Sequence, residues 1–203
     1  MNIKLKRSER NKVMSPMEVY GIMQRILMRE SKIDRTREHF WVICLSNANK
    51  ILNIELISMG SVHQTIAEPM EVFSVPLQKR ASGVILVHNH PSGNLLPSAA
   101  DKDLTDLLIQ CGRMLNIKVV DHFIISARNC YSFVETGLLA ELEESLKYVP
   151  QFKIKERIKK EGEAGEERKA RAMAIVMKED GDPMEKIVKF TGLSKHVFSR
   201  LKA

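Results

Sequence analysis

Apolar positions in this chain change spacing several times, and each change marks an element. Val19, Ile22, Met23, Ile26 and Leu27 recur at three and four residues, the period of one helical face. Ser15-Pro16-Met17-Glu18 precedes them: a serine cap, proline in the first turn and a glutamate placed to close a capping box. His39 to Leu45 and Ile51 to Met59, separated by the turn-rich Ser46-Asn47-Ala48-Asn49, read as two hairpin strands. A helical segment fits Glu68 to Arg80, interrupted at Pro76, and Gly83 ends it before the buried-strand run Val84 to Val87. After the loop Asn89 to Pro97, Leu104, Leu107, Leu108, Cys111, Met114 and Leu115 repeat at helical spacing, with Met23 and Met114 expected as core filler. Strands Lys118 to Ile125 and Cys130 to Val134 follow, joined by Ala127-Arg128-Asn129. The order helix, hairpin, helix, strand, helix, two strands predicts a layered α/β or α+β domain over residues 15–140, after a basic arm at 1–14.

Beyond Pro150 lysine and glutamate dominate. Residues 141–165 read as a charged linker or helix broken by Gly162 and Gly165, and residues 166–203 as a small helical extension. Within that tail, Glu166 to Met177 predicts a helix, Asp180 to Pro183 a turn and a short helix ending at Phe190. Gly192 is suited to a left-handed turn before Ser194 caps a last helix. Helix, glycine turn, helix is the outline of a DNA-reading helix-turn-helix, with Lys195 and Arg200 as phosphate contacts. The competing reading is that Ile187, Val188, Leu193, Val197 and Leu201 close a small bundle or a homodimer contact.

Composition narrows the function classes. With 203 residues, 44% hydrophobic and 28% charged, the chain is long enough for a core and too apolar for disorder. No apolar run approaches the ~20 residues of a membrane span, and the basic start leads into polar residues where a secretory signal would be apolar. A cytoplasmic protein without membrane contact is expected. Three cysteines (Cys44, Cys111, Cys130) with no C-x-x-C exclude a disulfide framework and read as small buried hydrophobes. The net charge of +7 is uneven: residues 1–37 carry +6, 38–150 carry −4 and 151–203 carry +5. Basic ends make DNA a candidate partner, against the blander reading of solvated helix faces.

The chemistry concentrates after the strand at Val84. His88 and His90 sit two apart at its end, so both imidazoles leave on one face. Asp101, eleven positions on, falls in the first turn of the next helix, where its carboxylate can fold back as a third ligand. Two histidines, a carboxylate and an open fourth position are a common way of holding catalytic zinc. Ser98-x-x-Asp101 is also an ordinary capping box, and the two readings are compatible. A base is needed beside the metal-activated water, and Glu55, interrupting the apolar strand Ile51 to Ile57, is the candidate; alone, it reads equally as an exposed strand residue. Asp121 and His122 are adjacent on a strand and face opposite ways, so both cannot reach one metal, and structural hydrogen bonding is expected for at least one. His39, His63 and His196 are isolated.

Taken together, Glu55, His88-x-His90-x7-Ser98-x2-Asp101 resembles the JAMM (MPN+, JAB) zinc metalloprotease motif. The wording His88-Asn-His-Pro-Ser-Gly-Asn-Leu-Leu-Pro-Ser98-Ala-Ala-Asp101, with Thr105 and Asp121-His122-Phe-Ile-Ile, resembles its RadC branch over roughly residues 15 to 140. The resemblance implies a three-layer cytidine-deaminase-like α/β domain with a mixed sheet. It also implies Zn2+ on His88, His90 and Asp101, water as fourth ligand, Glu55 activating that water and Ser98 steadying an oxyanion. The implied reaction is cleavage of a peptide or isopeptide bond in an unidentified protein or peptide substrate. Longer RadC-type proteins carry a helix-hairpin-helix region before this domain; residues 1 to 37 are too short for one and lack its glycine-rich hairpins, which weakens the DNA-repair association. The inserted segments that isopeptide-cleaving relatives use to grip a ubiquitin-like partner have no counterpart here. The alternative function is a DNA-associated adaptor with a non-catalytic metal site.

Overall fold

The computed structural model describes residues 15–60 and 67–200. Two compact units result, divided between Tyr148 and Val149. His63, Leu201 and the 1–14 arm lie outside the described residues, as do the side chains of Arg157, Lys195 and Phe198.

In the first unit, helix α1 (Pro16–Arg29) begins as its first residues require. Ser15 Oγ accepts from the Glu18 N–H and the Glu18 carboxylate accepts from the Ser15 N–H, so two amides at the helix start gain side-chain acceptors. Strands β1 (His39–Leu45) and β2 (Ile51–Met59) form the expected hairpin. Helix α2 (Pro69–Gln78) accommodates Pro76 near its C-terminal end. Strand β3 (Gly83–Asn89), helix α3 (Ala99–Leu115) and strand β4 (Lys118–Ile125) make a parallel crossover, and β5 (Cys130–Ser132) pairs antiparallel with β4 before the short α4 (Leu138–Glu143). The mixed sheet has order β2-β1-β3-β4-β5.

Both faces of this sheet are covered, which is why β1 and β3 are buried at every position. Val19, Met23, Ile26 and Leu27 of α1 pack on Trp41, Ile43, Val87 and Phe123. On the opposite face Phe73 of α2, Leu108 and Ile109 of α3 and Leu139 of α4 pack on Val42, Cys44, Leu86 and Ile124. The result is helix, sheet, helices: the expected three-layer α/β fold. Gly112 permits the tight return after α3. A Cβ there would come within 2.4 Å of the Ile117 carbonyl oxygen, so only glycine lets β4 start so close to the helix.

Four local expectations need correction. Met114 is 59% exposed and Leu115 40%, so they are not core. The α3 apolar set is too wide for one face: Leu108 and Ile109 enter the core, while Met114 and Leu115 line an open apolar groove with Met70, Phe73 and Leu77 of α2. Of the three cysteines only Cys44 is buried, where burial first and the Glu55 charge second push its thiol up to about 12; Cys111 and Cys130 are half-buried. Strand β5 stops at Ser132, because Asp121 draws the next turn inward: its Oδ2 accepts from Ser132 Oγ and its Oδ1 from the Val134 N–H.

The fourth concerns the second unit. Gly162 and Gly165 do not interrupt the chain: α5 runs unbroken from Gln151 to Glu179. Each glycine costs a helix interior about 1 kcal/mol relative to alanine, which the flanking good helix formers outweigh. Residues 141–165 therefore divide between α4, its following turn and the first half of α5. Helices α6 (Met184–Thr191) and α7 (Lys195–Phe198) follow, joined through Gly192 in the left-handed conformation (φ 71°), as its position predicts. Ile187 and Leu193 pack against Ala174, with Met177 and Val197 partly covering them. Arg200 is exposed and His196 likewise.

Candidate metal centre

The sheet places the candidate ligands before any metal chemistry is considered. His88 lies near the end of β3, on the face that carries Leu86 and, across the sheet, Phe40. Asn89, facing the other way, fixes the strand end: its Oδ1 accepts from the His39 N–H and its Nδ2 donates to the Arg37 carbonyl. His90 follows directly, with its N–H bonded to the Ile125 carbonyl. Asp101 is the third residue of α3, held there by Ser98: the Ser98 N–H and Oγ–H both donate to Asp101 Oδ2 (2.7 Å each), and the Asp101 N–H donates back to Ser98 Oγ. The capping box and the ligand position are thus one arrangement.

His88 Nε2 lies 3.0 Å from His90 Nε2 and 3.1 Å from Asp101 Oδ1, and His90 Nε2 lies 3.6 Å from Asp101 Oδ2. A tetrahedral ion with bonds of ~2.0–2.1 Å requires donor atoms roughly 3.3 Å apart. The observed separations bracket that value, so the donor set fits a zinc-sized cation. Among the described residues these three are the group of ligating side chains that could hold a metal ion. Their chemistry agrees: two imidazoles and one carboxylate suit zinc.

The surroundings hold Asp101 in the charged form a cation needs, while in the absence of a cation the same carboxylate favours a proton on His90. Burial alone would push the Asp101 carboxyl up, but contact with the His88 and His90 rings, the His88 charge and the Ser98 hydroxyl outweigh it and hold it far below the usual carboxylate range. His90 is raised, chiefly by its hydrogen bond with Asp101; burial opposes this and the Asn94 carbonyl adds to it. His90 Nδ1 sits 2.6 Å from that carbonyl, which can only accept, so Nδ1 carries a hydrogen, and in the neutral ring Nε2 is the nitrogen left to face the cluster with a lone pair.

Two residues without an assigned role join the site. His122 of β4 is fully buried beside His88, with Nε2 2.8 Å from His88 Nδ1, and Thr105 Oγ1 is 2.7 Å from His122 Nδ1. Burial holds His122 well below the usual histidine range, with the neighbouring His88 acting in the same direction. Its neighbour Asp121 faces away and serves the β4–β5 connection, as the alternation of a strand requires. The available signal was topological: β3 and β4 pair in parallel with Leu86 opposite His122, so His122 falls on the His88 face.

Glu55 also shares that face. It pairs with Val42, which pairs on its other side with Leu86. Two strand spacings, roughly 10 Å, separate the β2 and β3 backbones. Glu55 is half-buried, and Asn53 Nδ2 donates to its Oε2 (3.2 Å). On the far side of His90 an open cleft of about 400 Å³ is lined by Arg35, Ser92 and Arg128 among others.

Residues 13–138 match the family model described as RadC-like JAB domain, well over half of the chain. The chain belongs to the RadC-like JAB family. Similar proteins include the UPF0758 proteins of Pelodictyon phaeoclathratiforme, 44% identical over 106 residues (52% of this chain and 48% of that protein), and Flavobacterium johnsoniae, 39% over 127 residues (63% and 53%). A third, from Chlorobium chlorochromatii, is 38% identical over 133 residues (66% and 58%). The chain spans about half the length of these curated relatives. The match ends near α4, so α5 to α7 lie outside the RadC-like JAB domain. No helix among the described residues is long and apolar enough to cross a membrane.

Proposed function

We propose that the RadC-like JAB domain is a zinc-dependent hydrolase of the JAMM class that cleaves a peptide or isopeptide bond. The observation that carries this reading is the convergence of His88 Nε2, His90 Nε2 and an Asp101 carboxylate at the spacing of a tetrahedral ion. A divalent cation there would polarise an amide carbonyl and lower the pKa of a water from 15.7 to about 7. Glu55, on the same face as His88, takes the proton from the attacking water and returns it to the leaving nitrogen, forming the acid and breaking the C–N bond. Ser98 steadies Asp101 in the resting arrangement, and its hydroxyl turns toward the oxyanion once a substrate is seated. The cleft beside His90 leaves room for the chain that bears the scissile bond.

Metal analysis with a quenched-fluorescence peptide library tests this. Purified protein is expected to carry about one zinc per chain, His88→Ala with His90→Ala to carry none, and Glu55→Gln to keep its zinc while losing cleavage by a factor of ~10²–10⁴. Absence of stoichiometric zinc, or zinc undiminished in the double variant, would remove the reading.

The second reading, a DNA-associated adaptor, draws on the +5 charge of residues 151–203 and on α6, Gly192 and α7 in helix-turn-helix order. It requires DNA binding that weakens steeply with salt and is lost on removal of residues 151–203.

A further inference from the structure

We propose that Thr105 and His122 are positioning residues that fix the His88 imidazole in the tautomer with a bare Nε2, aimed at the cation site. This rests on the metal reading above and adds to it which residues set the site's readiness.

The argument is an inventory of hydrogens along a short chain. Thr105 has one hydroxyl hydrogen. Its Oγ1 lies 2.5 Å from the Asp101 carbonyl oxygen, one turn back in α3, and a carbonyl can only accept, so the hydrogen is spent there. Oγ1 also lies 2.7 Å from His122 Nδ1; with no hydrogen left to give, the hydroxyl must accept, and Nδ1 must carry the ring hydrogen. The His122 ring is completely buried among Phe40, His88 and Phe133 and is hydrogen-bonded to no carboxylate, so a charged ring would go uncompensated there; the imidazole is neutral and its Nε2 carries none. That bare Nε2 stands 2.8 Å from His88 Nδ1, which therefore donates. His88 Nε2 is left with its lone pair facing His90 and Asp101.

Each link forces the next, and the chain has one direction. It begins and ends on Asp101: the backbone carbonyl starts it, and the carboxylate of the same residue meets the nitrogen it prepares. His90 needs no such relay, because its Nδ1 rests directly on a backbone carbonyl. His88 lies deeper, at 4% exposed, where its Nδ1 rests on the His122 ring. Removing the hydrogen-bonding partner behind a ligating histidine weakens metal binding by ~10- to 100-fold.

The test is zinc affinity by competition with a chromophoric chelator on the full chain, alongside nitrogen-15 long-range spectra of the histidine rings. Thr105→Ser retains the hydroxyl and is expected to bind zinc within about threefold of the starting protein. Thr105→Val keeps the shape, removes the acceptor and is expected to bind ~10- to 100-fold more weakly. The spectra of the unaltered protein should show hydrogen on Nδ1 of both His88 and His122. Equal zinc affinity in the valine and serine variants overturns the proposal, as does hydrogen on Nε2 of His122 in the unaltered protein. The spectra decide the matter even if the valine variant fails to fold. A starting protein that binds no zinc defeats the metal reading instead, while tight zinc binding by Thr105→Val defeats only the relay.

Discussion

The two units hold themselves together in different ways. The first seals a five-stranded sheet between helices and excludes water from Trp41, Ile43, Leu86 and Ile124 completely. In the second, among the described residues, Ala174, Ile187 and Leu193 are the buried apolar side chains. Its long helix relies instead on backbone hydrogen bonds and exposed pairs four residues apart, Lys160–Glu156, Lys159–Glu163 and Arg171–Glu167. Such solvent-screened pairs contribute little to stability. The candidate ligands His88, His90 and Asp101, with Thr105 and His122, all sit in the first unit.

This contrast predicts separable unfolding. Trp41, the single tryptophan, reports only on the first unit, whereas far-ultraviolet circular dichroism sees the helices of both. Ile43→Ala, in the middle of β1, is expected to destabilise the tryptophan-detected transition by about 2–5 kcal/mol and to leave the helical signal of residues 151–191 in place. A coincident loss of both signals would show that the units unfold as one. Zinc sharpens the contrast from the other side: at a hundred times its dissociation constant it is expected to stabilise the first transition by about 2.7 kcal/mol and not the second, with chelator reversing the gain. Ile187→Ala is expected to cost about 2 kcal/mol in the second unit, the low end for a buried isoleucine because its cluster is small, with zinc affinity unchanged. The smallest effect is that of salt: raising ionic strength from about 0.05 to about 0.5 M should lower the helicity of α5 slightly and leave tryptophan emission unmoved.

Local sequence grammar was enough for what depends on neighbours in the chain. The Ser15–Glu18 box, the hairpin and the left-handed Gly192 are all decided within a few residues. So is the triad, since strand alternation aligns His88 with His90 and the Ser98 cap delivers Asp101. Thr105 and His122 were named in the sequence but given no place beside His88, because that relation exists only once β4 lies parallel beside β3, 34 residues away in the case of His122. Met114 and Leu115 were misplaced for a related reason. Periodicity says which residues share a helical face but not how much of that face a neighbour covers. At Gly162 and Gly165, two poor helix formers were given more weight than the 27 other residues of α5.

Helix α3 carries in its first turn the candidate carboxylate ligand Asp101 and, one turn later, the Thr105 hydroxyl against the ring that backs His88. A slide of that turn against the sheet would therefore loosen the ligand and release the ring behind its counterpart at the same moment. Competence at this centre should be lost in a single step, as when a keystone shifts, and not faded gradually ligand by ligand.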